Sequence, residues 1–243
     1  MIALDISVGD IHVGNKFALM YPDADLDYRI NASQRWLFKA WSEHFLPAVE
    51  TLIDGTEFDH VHLLLGGDLG DKDGKNRSTF FWSRDEKTIV ENAVTLLEPL
   101  VDMVDSVHVI RGTQSHTGPA SSIDEAIARN FDNVVWKSKR DKQAAWYKTR
   151  YKLAGVLVDA QHYGKNKSKW ADENLITALR TEVIKEYAGE ELPKMIQRFH
   201  FHWFGTTSIH KEPIVMQCPS WQLPNEYIAE IDAVGRKPVV GGV

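Results

Sequence analysis

The chain has 243 residues, enough for one α/β domain with a large buried core, and its 43% hydrophobic and 26% charged residues are typical of globular proteins. A net charge of −6 argues against a surface for indiscriminate DNA binding, which depends on lysine and arginine neutralising phosphates. The single cysteine, Cys218, excludes an internal disulfide and a cysteine-based zinc site. With no bilayer-length apolar run and no visible signal peptide, we expect a cytoplasmic protein that does not bind membranes.

The first half of the chain alternates strands and helices. Apolar runs predict strands over residues 2–8, 61–65 and 107–110. An amphipathic helix lies between the first two strands, with apolar residues at helical spacing from Leu37 to Leu52 and Asn31 or Ser33 as its N-cap. A second helix is predicted to begin at a capping box, Ser83-x-x-Glu86. This order is typical of a sheet with helices on its faces.

The second half is richer in predicted strands. These cover residues 133–136, 145–153, 156–159 and 213–217, and a helix over about 171–187 interrupts them. The last ten residues contain three glycines and a proline, so we expect residues 234–243 to be a loosely held tail after a single domain over residues 1–233.

Five short segments carry residues that bind metal ions, and most of them directly follow a predicted strand. They are Asp10-Ile11-His12, Gly67-Asp68-Leu69-Gly70-Asp71, Gly112-Thr113-Gln114-Ser115-His116, His162-Tyr163-Gly164 and His200-Phe201-His202. Buried strands would bring these carboxylates and imidazoles to one edge of a sheet. Mixed Asp and His ligands suit borderline divalent ions, which favours metal-assisted hydrolysis.

At these residues the chain resembles the calcineurin-like metallophosphoesterase superfamily, whose motifs have the same order and spacing across residues 10–202. The resemblance implies two packed mixed β-sheets flanked by helices, with the metal site at the strand ends. It also implies two divalent ions, with Mn²⁺ first and Fe²⁺, Zn²⁺, Ni²⁺ or Mg²⁺ as alternatives. Asp68 would bridge the ions, and the remaining ligands would be Asp10, His12 and His202 for the first metal and His162 and His200 for the second.

Two segments depart from the family pattern. Phe199 replaces the glycine that precedes the last His-x-His, and the third segment lacks the Asn-His pair. We expect His116 to act as the catalytic histidine from a longer loop, and Thr113 or Gln114 to supply the missing oxygen. Asp71 either ligates a metal or is an ordinary turn residue.

Other histidines and lysines have simpler interpretations. His60 and His62 share the His-x-His spacing but precede the apolar run of their strand, so we expect them to be structural, and His44 falls on an apolar helix face. Lys165 and Lys167, directly after His162, are candidate substrate contacts if they lie at the mouth of the site. A second basic cluster comprises Lys137, Lys139, Arg140 and Lys142.

We therefore expect a phosphoester hydrolase in which Asp68 and His116 are catalytic and two metals activate a hydroxide. A phosphodiesterase or nuclease for nucleotides or nucleic acids is the first hypothesis, based on the basic loops and the supply of aromatic residues. Two alternatives stay open: a phosphomonoesterase for a small metabolite, and a metal-binding scaffold with impaired catalysis. Self-association into a homo-oligomer also stays open.

Overall fold

A computed structural model describes residues 1–23, 26–72, 80–162, 171–207, 213–224 and 240–243. Its first sheet has the strand order β1-β2-β3-β4, and the pairs are parallel. The strands are β1 (Ala3–Val8), β2 (His60–Leu65), β3 (Ser106–Ile110) and β4 (Ala145–Trp146).

The second sheet is mixed and has the order β5-β6-β7-β9-β8. Its strands are β5 (Lys148–Leu153), β6 (Val156–Gln161), β7 (Met195–Arg198), β8 (Gly205–Thr207) and β9 (Ile214–Gln217). The three central strands β6, β7 and β9 run parallel to one another, and the two edge strands run antiparallel to their neighbours. Parallel strands in both sheets direct their carboxyl ends, and the loops that follow, toward the rim where the predicted motifs lie.

The helices flank the two sheets. They are α1 (Ala32–Ala40), α2 (Leu46–Asp54), α3 (Glu86–Val101), α4 (Gln114–Thr117), α5 (Ser122–Ala128) and α6 (Ala171–Tyr187). A π-helical turn over Trp41–Phe45 joins α1 to α2 without a break, and Asn31 caps the start of α1 through a reciprocal capping box with Gln34. The first predicted helix is thus confirmed, including one of its two candidate caps.

The strands of the first sheet bury apolar residues on both faces, as parallel strands covered on both sides do. Leu63, Leu65 and Val109 pack with the helices α1, α2, α3 and α5 in the main core. The neighbouring residues Leu64 and Ile110 point the other way and pack against the second sheet. A third apolar cluster lies between the second sheet and α6. The expected architecture of two packed sheets flanked by helices is confirmed.

Several local predictions need correction. The cap of α3 is Asp85, whose carboxylate accepts a hydrogen bond from the backbone N–H of Thr88, rather than Ser83. The segment predicted as one strand over 145–153 divides at Tyr147 between the two sheets. Residues 133–136 form no full strand, only a bridge from Val134 to Val107. His44 is exposed, because it lies on the solvent side of the π-helical turn.

The end of the chain also differs from the expected loose tail. Val243 exchanges backbone hydrogen bonds with Ser7 of β1, and Val240 forms a bridge to Ser220. Residues 240–243 are therefore held by pairing with the first sheet, while residues 234–239 lie outside the described part of the chain. Among the described residues no helix is long and apolar enough to cross a membrane.

A buried polar network connects the two sheets beneath the rim. Asp5 accepts hydrogen bonds from His62 at 2.7 Å and from the Tyr151 hydroxyl at 2.9 Å, and His62 Nε2 lies 2.8 Å from His108 Nδ1. The His108 ring stacks on Tyr151. These contacts support the structural role that we expected for His62. Burial, together with the neighbouring His62, lowers the pKa of His108 to about 3.

This pKa predicts a pH-dependent stability. An unfolded histidine takes up a proton near pH 6.5, whereas folded His108 does so only near pH 3, so the free energy of unfolding should fall as the pH drops between these values. One such proton contributes a slope of up to about 1.4 kcal/mol per pH unit. The free energy of unfolding of His108→Asn, measured with urea in the presence of EDTA, should fall less steeply with decreasing pH than that of wild type.

His44→Asn, at an exposed histidine, is the matched control and should keep the wild-type slope. Identical slopes for His108→Asn and wild type would contradict the assignment of this proton uptake to His108.

Candidate metal centre

The predicted site residues converge at the rim where parallel strands of both sheets end. Asp10 and His12 follow β1, Asp68 follows β2, His162 follows β6, and His200 and His202 follow β7. Their ligand atoms form overlapping groups, each within 4.8 Å, that could hold metal ions: Asp10 with His12 and His202, Asp68 with His162 and His200, and His12 with Asp68 and His116. The structure therefore brings together every predicted Asp and His ligand.

The first group consists of Asp10, His12 and His202. The Nε2 atoms of His12 and His202 are 3.2 Å apart, and Asp10 Oδ1 lies 3.4 Å from His202 Nε2 and 3.8 Å from His12 Nε2. Ligands bound about 2.1 Å from one metal ion are about 3.0 to 3.4 Å apart in octahedral or tetrahedral geometry. The distances among the three atoms are thus close to those expected for ligands of one shared ion.

The second group is built around Asp68. His162 Nδ1 donates a hydrogen bond to the carbonyl of Gly66 at 2.7 Å, which directs Nε2 toward Asp68 Oδ2 at 3.0 Å. A ligating histidine commonly has its other ring nitrogen fixed in this way. Burial opposes protonation of His162, but the carboxylates of Asp68 and Asp10 outweigh it and raise the pKa of His162 to about 10.

The third segment reaches the site by a helical turn rather than by an extended loop. Residues 114–117 form α4, which carries His116 to the side of His12, with the two ring centroids 4.7 Å apart. Thr113 donates hydrogen bonds to Asp68 from its backbone N–H at 2.6 Å and its hydroxyl at 3.0 Å. Gln114 is exposed. Of the two expected oxygen donors, Thr113 is the one in contact with Asp68.

Asp71 is buried and contacts two of the site's histidines. Its Oδ1 accepts a hydrogen bond from His116 Nδ1 at 3.0 Å, and its Oδ2 lies 3.6 Å from His12 Nδ1. Burial opposes protonation of His116, yet the bond to Asp71 and the charge of Asp68 raise the pKa of His116 to about 9. These contacts indicate that Asp71 orients the imidazoles of His12 and His116. This role differs from both of the roles expected for Asp71.

The backbone adopts left-handed conformations at the site. Asp10, His12, Asp68, His200 and His202 have φ between 49° and 76°. Such conformations cost on the order of 1 kcal/mol each and collect at functional sites. His200 and His202 do not continue β7, because that strand ends at Arg198 and both residues lie in the irregular loop beyond it.

Sequence reasoning missed Asp124, which ties the second and third segments together. Its carboxylate accepts hydrogen bonds from the backbone N–H groups of Leu69 at 3.0 Å and Gly112 at 2.7 Å. Complete burial, with the charge of Asp68 nearby, raises the pKa of Asp124 to about 7. No local sequence signal marks this residue, since an aspartate in the first turn of a helix is ordinary.

Phe199 fills the space behind the site, where the related motif has glycine. Its ring is fully buried, and a Cβ atom placed on Gly66 would lie 2.1 Å from Phe199 Cε1. A Cβ on Gly9 would lie 2.6 Å from Cδ1 of the same ring. The ring therefore packs directly on the backbone that precedes Asp10 and Asp68, and the two glycines leave room for it.

The donor set fits divalent metal ions. Asp10 is fully buried, and its Oδ1 has no hydrogen-bond partner among the described residues, whereas its Oδ2 accepts one from the backbone N–H of His200 at 2.8 Å. A buried carboxylate oxygen without a partner is costly, and a cation facing Oδ1 would remove that cost. The predicted substrate contacts Lys165 and Lys167 lie outside the described residues.

No protein-family model and no curated protein sequence matches the chain. Similar solved structures include a zinc complex of Vps29 from Entamoeba histolytica, with 13% identity and a TM-score of 0.39 over 89% of this chain and 73% of that one. Vps29 from Cryptosporidium parvum has 10% identity and a TM-score of 0.40, covering 90% and 74%.

A predicted phosphoesterase from Streptococcus pneumoniae is similar as well, with 11% identity and a TM-score of 0.34, covering 91% and 74%. Similarities of this size assign no activity.

The packing of Phe199 on Gly66 predicts a coupled pair of substitutions. Gly66→Ala should destabilise the protein by about 1–3 kcal/mol or more, because the new methyl group overlaps the ring. Phe199→Leu shortens that side chain, so the double variant should lose less stability than the sum of the two single variants. A double-mutant cycle measured by urea unfolding gives this coupling. Strict additivity would contradict the proposed contact.

Proposed function

We propose that the chain is a metal-dependent phosphoester hydrolase that acts on nucleotide or nucleic-acid phosphodiesters. The observation that carries the proposal is the convergence of Asp10, His12, Asp68, His162, His200 and His202, from both sheets, into adjoining groups with metal-ligand spacing. Two divalent ions bound there would supply a water nucleophile of lowered pKa and neutralise the charge on the phosphoryl oxygens.

Asp10 and Asp68 would supply the negative charge that holds the cations. Burial raises the pKa of both carboxyls, but His162 together with His202 at Asp10, and with His116 and His12 at Asp68, outweighs it and keeps both pKa values low. Both groups are therefore ionised at neutral pH, and a cation bound between them would replace the proton on His162. Hydrogen bonds from Thr113 to both oxygens of Asp68 hold this carboxylate in one orientation.

His116 would act on the phosphoryl group of the substrate. It is the partly exposed member of the site, with 37% of its side chain accessible, while its Nδ1 is held by buried Asp71. Its raised pKa keeps it protonated at neutral pH, so it can donate a proton to the leaving oxygen or stabilise developing negative charge. Its ring lies 4.7 Å from that of His12, so it would lie beside the proposed metal ligands.

The decisive experiment measures hydrolysis of bis-p-nitrophenyl phosphate and of p-nitrophenyl phosphate with Mn²⁺ and after EDTA treatment. Preferential, metal-dependent turnover of the diester supports the proposal, and preference for the monoester favours a phosphomonoesterase. His202→Ala should reduce turnover by orders of magnitude, because it removes a ligand of the first group.

His60→Ala is the matched control, since His60 also belongs to a His-x-His sequence but contacts Ser106 at the start of β3. It should keep nearly full activity. Equal losses in both variants, or full activity in EDTA, would contradict the proposal.

A separate prediction concerns His116. His116→Ala should lower kcat by about 10²- to 10⁴-fold, as expected for loss of one acid or oxyanion-stabilising group. The loss should be smaller for a p-nitrophenolate leaving group than for an alcohol, which needs protonation. Metal content, measured alongside, should stay at the wild-type level.

Ser115→Ala, at the exposed neighbouring residue, serves as the control. Loss of a metal ion in His116→Ala would make His116 a ligand. Unchanged turnover would show that the third segment provides no catalytic histidine.

A further inference from the structure

An exposed aromatic side chain lies at the same edge of the first sheet as the metal centre. Tyr147 directly follows β4 and is 52% exposed. The backbone N–H of Arg111 donates a hydrogen bond to the carbonyl of Trp146 at 2.7 Å, so Tyr147 lies beside the start of the segment that carries Thr113. Two strand spacings of about 4.8 Å separate β4 from β2, the strand that Asp68 follows. The backbone at Tyr147 is therefore roughly 10 Å from the backbone at the end of β2.

Single exposed aromatic residues are ordinary, but Tyr147 has two cations at its ring. The Arg111 guanidinium lies over the ring with Cζ 4.8 Å from the centroid, and Lys137 Nζ lies 5.5 Å from it. Arg111 is buried and fixed by Glu125 at 2.9 Å and by the carbonyl of Ala120 at 3.0 Å. It thus forms a rigid support for the tyrosine.

Lys137 differs from Arg111 in being exposed, and within the described residues it forms no salt bridge. Its long side chain can leave the ring at small cost, because an exposed cation–π contact is weak. A flat ligand could therefore stack on Tyr147 while the ammonium group moves to an adjacent anion.

A basic turn continues from Lys137. Residues 138–143 form a hairpin closed by backbone hydrogen bonds between Ser138 and Gln143, and Arg129 fixes the turn by donating to the carbonyl of Lys142 at 2.7 Å. Between residues 137 and 142 there are four basic side chains and one acid, Asp141. The basic members, all exposed, are Lys137, Lys139, Arg140 and Lys142. This concentration of positive charge contrasts with the net charge of −6 for the whole chain.

We propose that Tyr147 and the basic turn, residues 137–142, bind a single-stranded nucleic acid, with one base stacked on Tyr147 and its phosphates on the turn. Stacking aromatic rings combined with a cationic track is the usual way of binding single strands without sequence preference. The distance of roughly 10 Å to Asp68 corresponds to about three stacked nucleotides at 3.4 Å each. This inference rests on the proposed function, since it makes the substrate of that site a polynucleotide rather than a small diester.

Binding of a fluorescein-labelled thymidine dodecamer with phosphorothioate linkages, which resist hydrolysis, tests the inference by fluorescence anisotropy. Tyr147→Ala should weaken binding by about 5- to 150-fold, the factor that corresponds to 1–3 kcal/mol for one stacked base. Tyr147→Phe keeps the ring and should bind nearly as well as wild type. Lys137→Gln should reduce the slope of log K against log salt by about 0.7, the value for one phosphate contact with a single strand.

Tyr187→Ala is the matched control, because Tyr187 is 89% exposed at the far end of α6. It should leave dodecamer binding unchanged. Equal affinity of Tyr147→Ala and wild type, or no binding by wild type, would overturn the inference. A third outcome would also overturn the inference: Lys137→Gln weakens a salt-dependent affinity, but Tyr147→Ala leaves the affinity unchanged. That result would show a surface that binds any polyanion.

Turnover of bis-p-nitrophenyl phosphate by wild type separates the two proposals. If this small diester is hydrolysed but Tyr147→Ala binds the dodecamer normally, the nucleic-acid site is wrong and the hydrolase remains. If the dodecamer binds through Tyr147 but neither an unmodified thymidine dodecamer nor the small diester is hydrolysed, the binding site stands and the proposed function fails.

Discussion

The buried negative charge of Asp10 and Asp68 is the constraint on which the rest of the site depends. Both carboxylates are fully buried at the ends of neighbouring parallel strands, where an uncompensated charge would be very costly. Imidazoles surround them, and backbone N–H groups of Thr113 and His200 donate to them. Even so, Asp10 Oδ1 keeps no hydrogen-bond partner among the described residues. Divalent cations would complete this arrangement.

Packing outside the ligand set holds this charge in place. Asp124 binds the backbone of both the second and third segments, and Phe199 presses on the glycines before Asp10 and Asp68. The left-handed backbone at Asp10, His12, Asp68, His200 and His202 is tolerated because these contacts fix the loops from several sides. A substitution behind the site should therefore act on the ligands through the backbone, even where it touches no ligand.

Much of this arrangement follows from local sequence patterns. Continuous apolar runs located the first three strands, and helical spacing located the helix after β1, because buried strands and amphipathic helices have different periods. The order of the motifs predicted which aspartates and histidines lie together at the rim. Long-range packing leaves no periodic pattern in the sequence. For this reason Asp124 was not predicted, and neither was the separation of 145–153 into strands of two sheets. The left-handed backbone at His200 and His202 was not foreseen either, because it leaves no periodic pattern in the sequence.

The proposed hydrolase requires two metal ions at the rim between the sheets. Anomalous X-ray scattering from crystals of the protein grown with Mn²⁺ would locate them. We expect two peaks, one among Asp10, His12 and His202 and one among Asp68, His162 and His200, each about 2.1 Å from its ligand atoms. Absence of any peak at these residues, in crystals where Mn²⁺ is present in excess, would contradict the metal-centre assignment.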